Sequence, residues 1–333
     1  MRQLFIAAAA TAIAITMPAY GQEDISPAVV FDMGGKFDRS FNEGIYNGVE
    51  RFSDETGIEY LEFEVTNEAQ REQALRQMAQ NGANTVIAVG FAQAPAVEIV
   101  AAEFPDVNFT IIDAVVDLPN VRSVVFREEE GSFLVGLLAA MASETGAVGF
   151  VGGMDIPLIR AFGCGYAQGA RFADPEIDIY QNMTGTTPAA WNDPGRGGEL
   201  ARSQFDRGAD IVYAAAGGTG LGVYQAAEDT GNLAIGVDSN QNYLHPGTML
   251  TSMLKRVDVA AYNAFMDSMN GTWEPGVQVL GLAEEGVGYS LDEYNWDLMT
   301  PEMINAANSA IIGIMNGEIE VVDYREAGSC PVE

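Results

Sequence analysis

Short apolar runs alternate with amphipathic segments along most of the chain. Residues 28–31 form an uninterrupted apolar run, and Phe41, Ile45, Val49 and Phe52 then follow at the spacing of one helix face. The pattern predicts further strands at 59–65, 85–89, 108–113, 147–151, 177–182, 211–215 and 233–238, and helices at 67–80, 95–103, 158–172, 196–206 and 221–229. Strands alternating with helices of this length predict βαβ units and parallel sheets, an α/β fold.

The turn after the first strand carries the most distinctive residues. Asp32 ends the strand, and Phe41 and Asn42 begin the helix. Ser40 and Glu43 have the spacing of a capping box, which predicts Ser40 at the N-cap. In an open parallel sheet, residues at these positions lie at the carboxyl edge, where ligands bind. The alternative is a well-capped turn with Phe41 in the core.

The two halves of the chain resemble each other. Residues 74–86 match 200–212, and in both a helix ends at a glycine before a buried strand begins. Further along, Asp113 and Asp238 end corresponding strands. Two similar lobes whose strands end in acids predict a ligand held between their carboxyl edges. Coincidence is the weaker explanation, because Asp32 adds a third acidic strand end.

The remaining elements predict a two-lobed chain. They are strands at 250–253 and 278–282 and helices at 257–270 and 301–315. We expect three crossings between the lobes, near Glu128, Gly247 and Gly276, which would build a hinge suited to closure on a ligand. The expected N-terminal lobe is 22–127 plus 248–276, and the expected C-terminal lobe is 128–247 plus 277–333.

The first residues have the pattern of a secretory signal peptide, 1–21. A positive start at Arg2 precedes the apolar run 4–16, and small residues, Ala19 and Gly21, stand before the predicted cut. The run is too short to span a membrane. No cysteine lies near the cut, so the sequence predicts a freely diffusing periplasmic protein without a lipid anchor.

Composition excludes several classes of partner. The formal net charge of −31 disfavours nucleic acid and anionic lipid. Cys164 and Cys330 are the only cysteines, and in an exported chain they predict one disulfide between the second half and the C-terminal segment. A metal site is not expected, because His245 is the single histidine.

No motif supports catalysis. The glycine-rich stretch 217–222 follows a strand and opens a helix, but it fits neither a dinucleotide fingerprint nor a P-loop. It is either a tight turn or a place where backbone amides approach a ligand. Nucleophile elbows and zinc spacings do not occur. The sequence therefore favours binding without chemistry or cofactor over an enzyme, with a carboxylate-only hydrolase as the alternative.

Four stretches of this chain resemble the basic membrane protein family: 32–42, 208–210, 236–238 and 251–258. The resemblance runs in order over nearly all of the mature chain. It implies a type I periplasmic-binding-protein fold, two doubly wound parallel-sheet lobes joined by three crossings. It also implies a substrate-binding protein, expected to be a monomer, that delivers a purine nucleoside or purine base to an ABC permease.

Carried over residue by residue, the resemblance implies a pocket for the base. Phe41 would cover one face of the purine and Trp191 the other. Asn42 and Asp113 would hydrogen-bond the edge of the base. Asp238 would accept hydrogen bonds from both ribose hydroxyls, which favours a nucleoside over a base.

The resemblance also implies the rest of the pocket. Gly217 or Gly218, together with Lys255, would complete the sugar site. The ammonium of Lys255 would offset two or three buried acids, which would otherwise raise each other's pKa values. Asp32 would contact the ligand or orient Asn42.

Two other functions stay open. The same fold would serve a sensory protein that presents its liganded form to a membrane receptor. An exported nucleoside hydrolase is the third hypothesis, and the missing catalytic motifs disfavour it.

Overall fold

The computed structural model describes residues 25–332, so the predicted signal peptide, 1–21, lies outside the described residues. In chain order the strands are β1 (Pro27–Phe31), β2 (Leu61–Glu64), β3 (Thr85–Val89), β4 (Asn108–Ile112), β5 (Val121–Phe126), β6 (Ala147–Met154), β7 (Asp178–Gly185), β8 (Ile211–Ala215), β9 (Leu233–Asp238), β10 (Met249–Lys255), β11 (Gly276–Leu280) and β12 (Val287–Tyr289). The α-helices are α1 (Phe41–Thr56), α2 (Gln70–Gln80), α3 (Ala94–Glu103), α4 (Glu128–Ala142), α5 (Pro157–Ala173), α6 (Pro194–Asp206), α7 (Gly220–Thr230), α8 (Val257–Met269), α9 (Pro301–Met315) and α10 (Tyr324–Ala327).

Two six-stranded sheets divide the chain into two lobes. The first sheet has the order β11-β5-β4-β3-β1-β2, and all its strands are parallel. The second has the order β12-β10-β9-β8-β6-β7, with β12 alone antiparallel. We call 25–126 with 257–280 the first lobe, and 128–255 with 281–332 the second lobe. The predicted architecture of two doubly wound parallel-sheet lobes is confirmed.

One strand, and all but the first residue of another, lie in the lobe opposite to the one predicted. Met249–Lys255 was expected in the N-terminal lobe, but it pairs with β9 of the second sheet. Gly276–Leu280 was divided between the lobes at its first residue, but it pairs along its whole length with β5 of the first sheet. The second and third crossings therefore follow Lys255 and Leu280, not Gly247 and Gly276. The prediction failed because distant backbone partners, not local sequence, decide which sheet a strand joins.

Each lobe has an aromatic-rich core. In the first, Phe52 of α1 meets Phe265 of α8 edge to face, with ring centroids 5.3 Å apart. In the second, Phe150 of β6 and Tyr213 of β8 pack against each other and against Tyr166 of α5. These cores fix the sheets from which the site residues project. Within 25–332, every helix is too short or too polar to cross a membrane.

The C-terminal segment is tied to α5. Cys164 and Cys330 form a disulfide with their Cα atoms 5.5 Å apart, a separation typical of such bonds. The expected pairing is therefore present. It closes a loop with a sequence separation of 166 residues.

Candidate functional site

One cavity lies between the carboxyl edges of the two sheets. Eight of the nine residues expected to bind ligand line it: Asp32, Phe41, Asn42, Asp113, Trp191, Gly217, Asp238 and Lys255. The ninth, Gly218, is not part of the lining; a Cβ there would lie 3.4 Å from the carbonyl oxygen of Trp191. The structure thus brings together residues that are more than 200 positions apart in the chain.

The acids that follow β4 and end β9 share an unusual backbone. Asp113 has φ 72° and Asp238 has φ 64°, in the left-handed region that aspartate tolerates better than most residues. This conformation costs about 1–3 kcal/mol in a non-glycine residue and tends to occur at functional sites. The two lobes therefore end corresponding strands in the same way, and both carboxylates line the cavity.

Lys255, the last residue of β10, is buried among acids. Its Nζ lies 2.7 Å from Oδ2 of Asp113 and 2.9 Å from Oε1 of Glu128. Burial acts to lower the pKa of Lys255, but the charges of Asp113, Glu128 and Asp238 outweigh it and raise the pKa above its ordinary value. The ammonium therefore stays charged and offsets these acids.

Asp113 has one oxygen that no protein group satisfies. Its Oδ2 accepts a hydrogen bond from Lys255, whereas its Oδ1 is buried without a partner. Burial raises the pKa of Asp113 to about 6; the charge of Lys255 opposes this shift and that of Glu128 adds to it. A buried acceptor without a donor costs about 1–3 kcal/mol, so this oxygen favours a ligand that donates an N–H or O–H group.

Asn42 presents a second such acceptor. Its side chain is buried, its Nδ2 donates to the carbonyl oxygen of Gly35 at 3.2 Å, and its Oδ1 has no partner. Because Asn42 lines the same cavity as Asp113, the two residues together can accept hydrogen bonds from one ligand.

The start of α1 is capped differently from the prediction. Ser40 is the N-cap, but its side chain makes no capping hydrogen bond. Asp38 takes that role and accepts the backbone N–H groups of Ser40, Asn42 and Glu43 at 2.8–3.1 Å. Burial raises the pKa of Asp38 to about 7, and these hydrogen bonds oppose the shift.

The Ser40 hydroxyl is instead part of a contact between the lobes. It donates to Oδ2 of Asp238 at 2.5 Å, and the Ser239 hydroxyl donates to the carbonyl oxygen of Ser40 at 3.0 Å. Nε2 of Gln241 donates to the carbonyl oxygen of Arg39 at 2.7 Å. These bonds join the turn before α1 to the turn after β9, so they hold the two lobes closed over the cavity.

The two expected aromatic residues come from opposite lobes. Phe41 is the first residue of α1, and its ring centroid lies 5.3 Å from Nζ of Lys255. Trp191 ends a short 3₁₀ turn in the second lobe and lies against Gly153. A Cβ at Gly153 would lie 2.2 Å from Cζ3 of Trp191, so the indole needs a glycine at that position.

Asp32 has a partner that the sequence did not suggest. Nε of Arg71 lies 2.9 Å from its Oδ1, and Nη2 lies 3.3 Å from its Oδ2. In the described part of the chain, no hydrogen bond joins Asp32 to Asn42. Asp32 therefore borders the cavity as half of an ion pair.

Sequence reasoning missed several residues of the site. Asp38, Phe91, Leu158, Ile159 and Phe162 also line the cavity, and Glu128 contacts Lys255 from outside the lining. A signal existed for part of this set, because Leu158, Ile159 and Phe162 share one face at the start of a predicted helix. Among residues 25–332, no group of acids, histidines and cysteines could hold a metal ion.

A family model matches most of the chain. It is the Bmp model, described as an ABC transporter substrate-binding protein, PnrA-like, and it matches residues 25–323. Basic membrane protein A of Borreliella afzelii is 31% identical over 316 residues, 92% of this chain and 94% of the relative. A crystal structure of an ABC transporter solute-binding protein from Aeropyrum pernix K1 superposes with a TM-score of 0.82 at 28% identity, covering 91% of this chain and 98% of that one.

Other relatives correct the expected localisation. An uncharacterized lipoprotein of Pyrococcus abyssi is 34% identical over 290 residues, 82% of this chain and 69% of the relative. Similar proteins of Pyrococcus horikoshii and Pyrococcus furiosus, each 33% identical, are also named lipoproteins. The prediction of a protein without a lipid anchor is therefore wrong. It depended on the cysteine pattern around the predicted cut, outside the described residues.

Proposed function

This chain belongs to the Bmp family of PnrA-like ABC transporter substrate-binding proteins, and from this premise we propose that its ligand is a purine nucleoside or purine base. The protein would hold the ligand between its lobes, without chemistry, and deliver it as a monomer to the permease of an ABC importer. Substrate-binding proteins of ABC transporters bind a small molecule and a permease. The proposal adds that the small molecule is a purine.

The observation that carries the proposal is the pair of unsatisfied acceptors beside aromatic rings. Oδ1 of Asp113 and Oδ1 of Asn42 are both buried without partners, and both residues line the cavity with Phe41 and Trp191. A planar base with N–H groups on its edge would satisfy the acceptors. Its faces would stack on the aromatic side chains, at about 1–3 kcal/mol for each stack.

Asp238 is suited to the sugar of a nucleoside. It lines the cavity, and one of its oxygens accepts from Ser40. Burial raises the pKa of Asp238, while the charge of Lys255 and the hydrogen bond from Ser40 oppose the shift. A carboxylate held in this way can accept hydrogen bonds from the ribose hydroxyls, so the ribose would add affinity beyond that of the base.

The acidic residues that line the cavity disfavour binding of nucleotides. Asp32, Asp38, Asp113 and Asp238 all line it, and Lys255, its one lining cation in the described chain, already pairs with Asp113. A 5′-phosphate would meet like charges, which cost several kcal/mol at an interface. We therefore expect AMP to bind at least about a hundredfold more weakly than adenosine.

Calorimetric titration tests the proposal. Refolded, ligand-stripped protein is titrated with guanosine, adenosine, adenine, ribose and AMP. We expect one-to-one binding of a nucleoside with a Kd of about 1 μM or below, equivalent to about 8 kcal/mol, and no binding of ribose. If none of these compounds binds, the proposal of a purine ligand fails. Comparable affinities for AMP and adenosine would show that the acids of the cavity do not repel a phosphate as expected.

Two tryptophans provide a matched comparison. Trp191→Ala should lose about 1–3 kcal/mol of binding free energy for nucleosides and for bases alike. Trp296 is 60% exposed and is not part of the cavity lining, so Trp296→Ala should bind as the wild type does. Equal effects of the two substitutions would contradict stacking on Trp191.

Delivery and oligomeric state need separate measurements. Cells that lack the protein should lose uptake of labelled nucleoside at low external concentration, and the cloned chain should restore it. A receptor-linked sensor would leave uptake unchanged. Light scattering of the liganded protein should give the mass of a monomer.

A further inference from the structure

The C-terminal segment, residues 322–330, is fixed against α5 at two points. The backbone N–H and C=O of Val322 pair with the side chain of Gln168, each at 2.9 Å. The disulfide between Cys164 and Cys330 ties the same segment to the same helix further along. The short helix α10 lies between these two attachments, so its side chains have a defined place.

Arg325, in α10, reaches from this segment to the first crossing between the lobes. Its Nη1 lies 2.7 Å from Oε2 of Glu128, and its Nη2 lies 3.1 Å from Oε2 of Glu129. Nη2 also donates to the carbonyl oxygen of Phe126 at 3.0 Å, and Nε donates to Asp323 at 2.9 Å. Both glutamates are buried. One cation of the C-terminal segment therefore compensates the acids at the hinge.

Glu128 connects Arg325 to the cavity. One oxygen of its carboxylate pairs with Arg325, and the other lies 2.9 Å from Nζ of Lys255. Nζ of Lys255 in turn lies 2.7 Å from Oδ2 of Asp113. Charges of alternating sign thus run from the C-terminal segment to the cavity.

We propose that Arg325 is a positioning residue of the ligand site, which acts through Glu128 and Lys255 on the carboxylate of Asp113. The inference rests on the proposed function, in which ionised Asp113 accepts a hydrogen bond from the base. Arg325 does not line the cavity, so it acts without touching the ligand. Without its guanidinium, Glu128 has only Lys255 as a cationic partner, and Lys255 is drawn away from Asp113.

The direction of the effect follows from the groups that face Asp113. These are Lys255 from β10, Glu128 at the start of α4 and Asp238 at the end of β9. Loss of the positive charge on Arg325 makes this cluster more negative, which raises the pKa of Asp113 above its value of about 6. A ligand that needs the ionised carboxylate then binds more weakly near that pH, while at alkaline pH both proteins keep Asp113 ionised.

The test compares nucleoside binding by wild type, Arg325→Met and Arg325→Lys at two pH values. For an upward pKa shift of about 1 unit, Arg325→Met should bind about fivefold more weakly than wild type near pH 6, beyond any loss near pH 8.5. Arg325→Lys keeps the positive charge, so its affinity near pH 6 should lie between those of wild type and Arg325→Met. An equal loss at both pH values would indicate a merely structural role and overturn the inference, and so would unchanged binding.

The pKa of Asp113 can also be measured without ligand, which tests the role of Arg325 independently of the proposed function. In protein labelled with [4-¹³C]aspartate, the carboxyl resonance of Asp113 is assigned by its loss in Asp113→Asn and titrated. Its pKa should move up by about 0.5–1 unit in Arg325→Met. If wild type binds no nucleoside, the proposed function fails while this titration still decides the role of Arg325. An unmoved pKa overturns the inference even where nucleosides bind.

Two further variants complete the design. Arg202 pairs with Asp229 at 2.8 Å on the surface, so Arg202→Met should change neither the Asp113 titration nor the binding. Glu128→Gln removes a negative charge beside Lys255 and should lower the pKa of Asp113, opposite to Arg325→Met. It tests the same chain of charges if Arg325→Met does not fold. A shift in the same direction for both would contradict the proposed chain.

Discussion

The hydroxyl of Ser40 donates a 2.5 Å hydrogen bond to Oδ2 of Asp238, across the boundary between the lobes. Ser40 precedes α1 in the first lobe, Asp238 ends β9 in the second, and both are buried. Asp238 also lines the cavity. The same carboxylate therefore takes part in the contact between the lobes and in the lining of the cavity, so we expect closure and ligand binding to be coupled.

Removal of this hydroxyl should weaken binding of every ligand by a similar factor. In the open protein, water can replace Asp238 as the partner of Ser40, so the bond favours the closed form alone. A hydrogen bond to a charged group contributes about 1.5–3 kcal/mol. Ser40→Ala should therefore weaken both nucleoside and base by about tenfold or more, measured by calorimetry.

The control for Ser40→Ala is Ser309→Ala. The Ser309 hydroxyl donates to the carbonyl oxygen of Asn305 on an exposed face of α9. Ser309 is not part of the cavity lining, so its loss should leave binding unchanged. A Ser40→Ala protein that binds nucleoside as tightly as wild type would show that the bond does not govern closure.

Replacement of Asp238 by alanine should separate nucleosides from bases. The variant loses the contact with Ser40 and, under the proposed function, the acceptor for the ribose hydroxyls. For a free base, Asp238→Ala should lose as much binding free energy as Ser40→Ala does. For a nucleoside, the loss of binding free energy should be larger by about 1.5–3 kcal/mol. Titration of both variants with adenosine and adenine gives the comparison. Equal losses for the two ligands would place Asp238 away from the sugar.

A single methyl group should disturb Trp191 without touching the ligand. A Cβ at Gly153 would lie 2.2 Å from Cζ3 and 2.5 Å from Cε3 of Trp191, so Gly153→Ala must displace the indole. We expect Gly153→Ala to lose part of the stacking contribution of about 1–3 kcal/mol. Affinity is measured by calorimetry, with folding checked by circular dichroism.

Gly288 offers the matched control for that substitution. It also lies in a strand, β12, but a Cβ there would have no atom within 4 Å. Gly288→Ala should therefore bind nucleoside as wild type does. If Gly153→Ala also binds unchanged, the position of Trp191 is not critical for the ligand.

Local sequence predicted the elements and the strand-end acids well, because both depend on neighbouring residues. The apolar run before Asp32 and the helix face from Phe41 onwards required no knowledge of the rest of the chain. The side-chain partners were less predictable. Ser40 had the spacing of a cap, yet Asp38 forms the cap and Ser40 bonds Asp238, nearly 200 positions away.

The same limit explains the errors in lobe assignment. Met249–Lys255 and Gly276–Leu280 were recognised as parts of strands, but their sheets follow from pairing with β9 and β5. Glu128 was expected to mark a crossing and does, yet its contacts with Lys255 and Arg325 depend on three distant segments meeting. Contacts between distant segments leave no periodic pattern in the sequence, so they could not be predicted from it.

Reduction of the disulfide should destabilise the protein. The bond between Cys164 and Cys330 spans 166 positions, and cross-links that close long loops restrict the unfolded chain most. Loss of a disulfide of this kind typically lowers the free energy of unfolding by about 2–5 kcal/mol. Urea unfolding of the oxidised and reduced protein, followed by circular dichroism, measures the difference in midpoint and slope.

The control is the double variant Cys164→Ala, Cys330→Ala, whose unfolding a reductant should not change. Cys164 lies in α5, the helix that also carries the cavity-lining residues Leu158 and Phe162. The effect of the disulfide on stability therefore has to be separated from any effect on ligand binding, by measuring unfolding without and with saturating nucleoside. A stabilising increment from ligand that is equal in oxidised and reduced protein would show that the bond acts on folding alone. Coincident midpoints for the oxidised and reduced protein would contradict a stabilising role altogether.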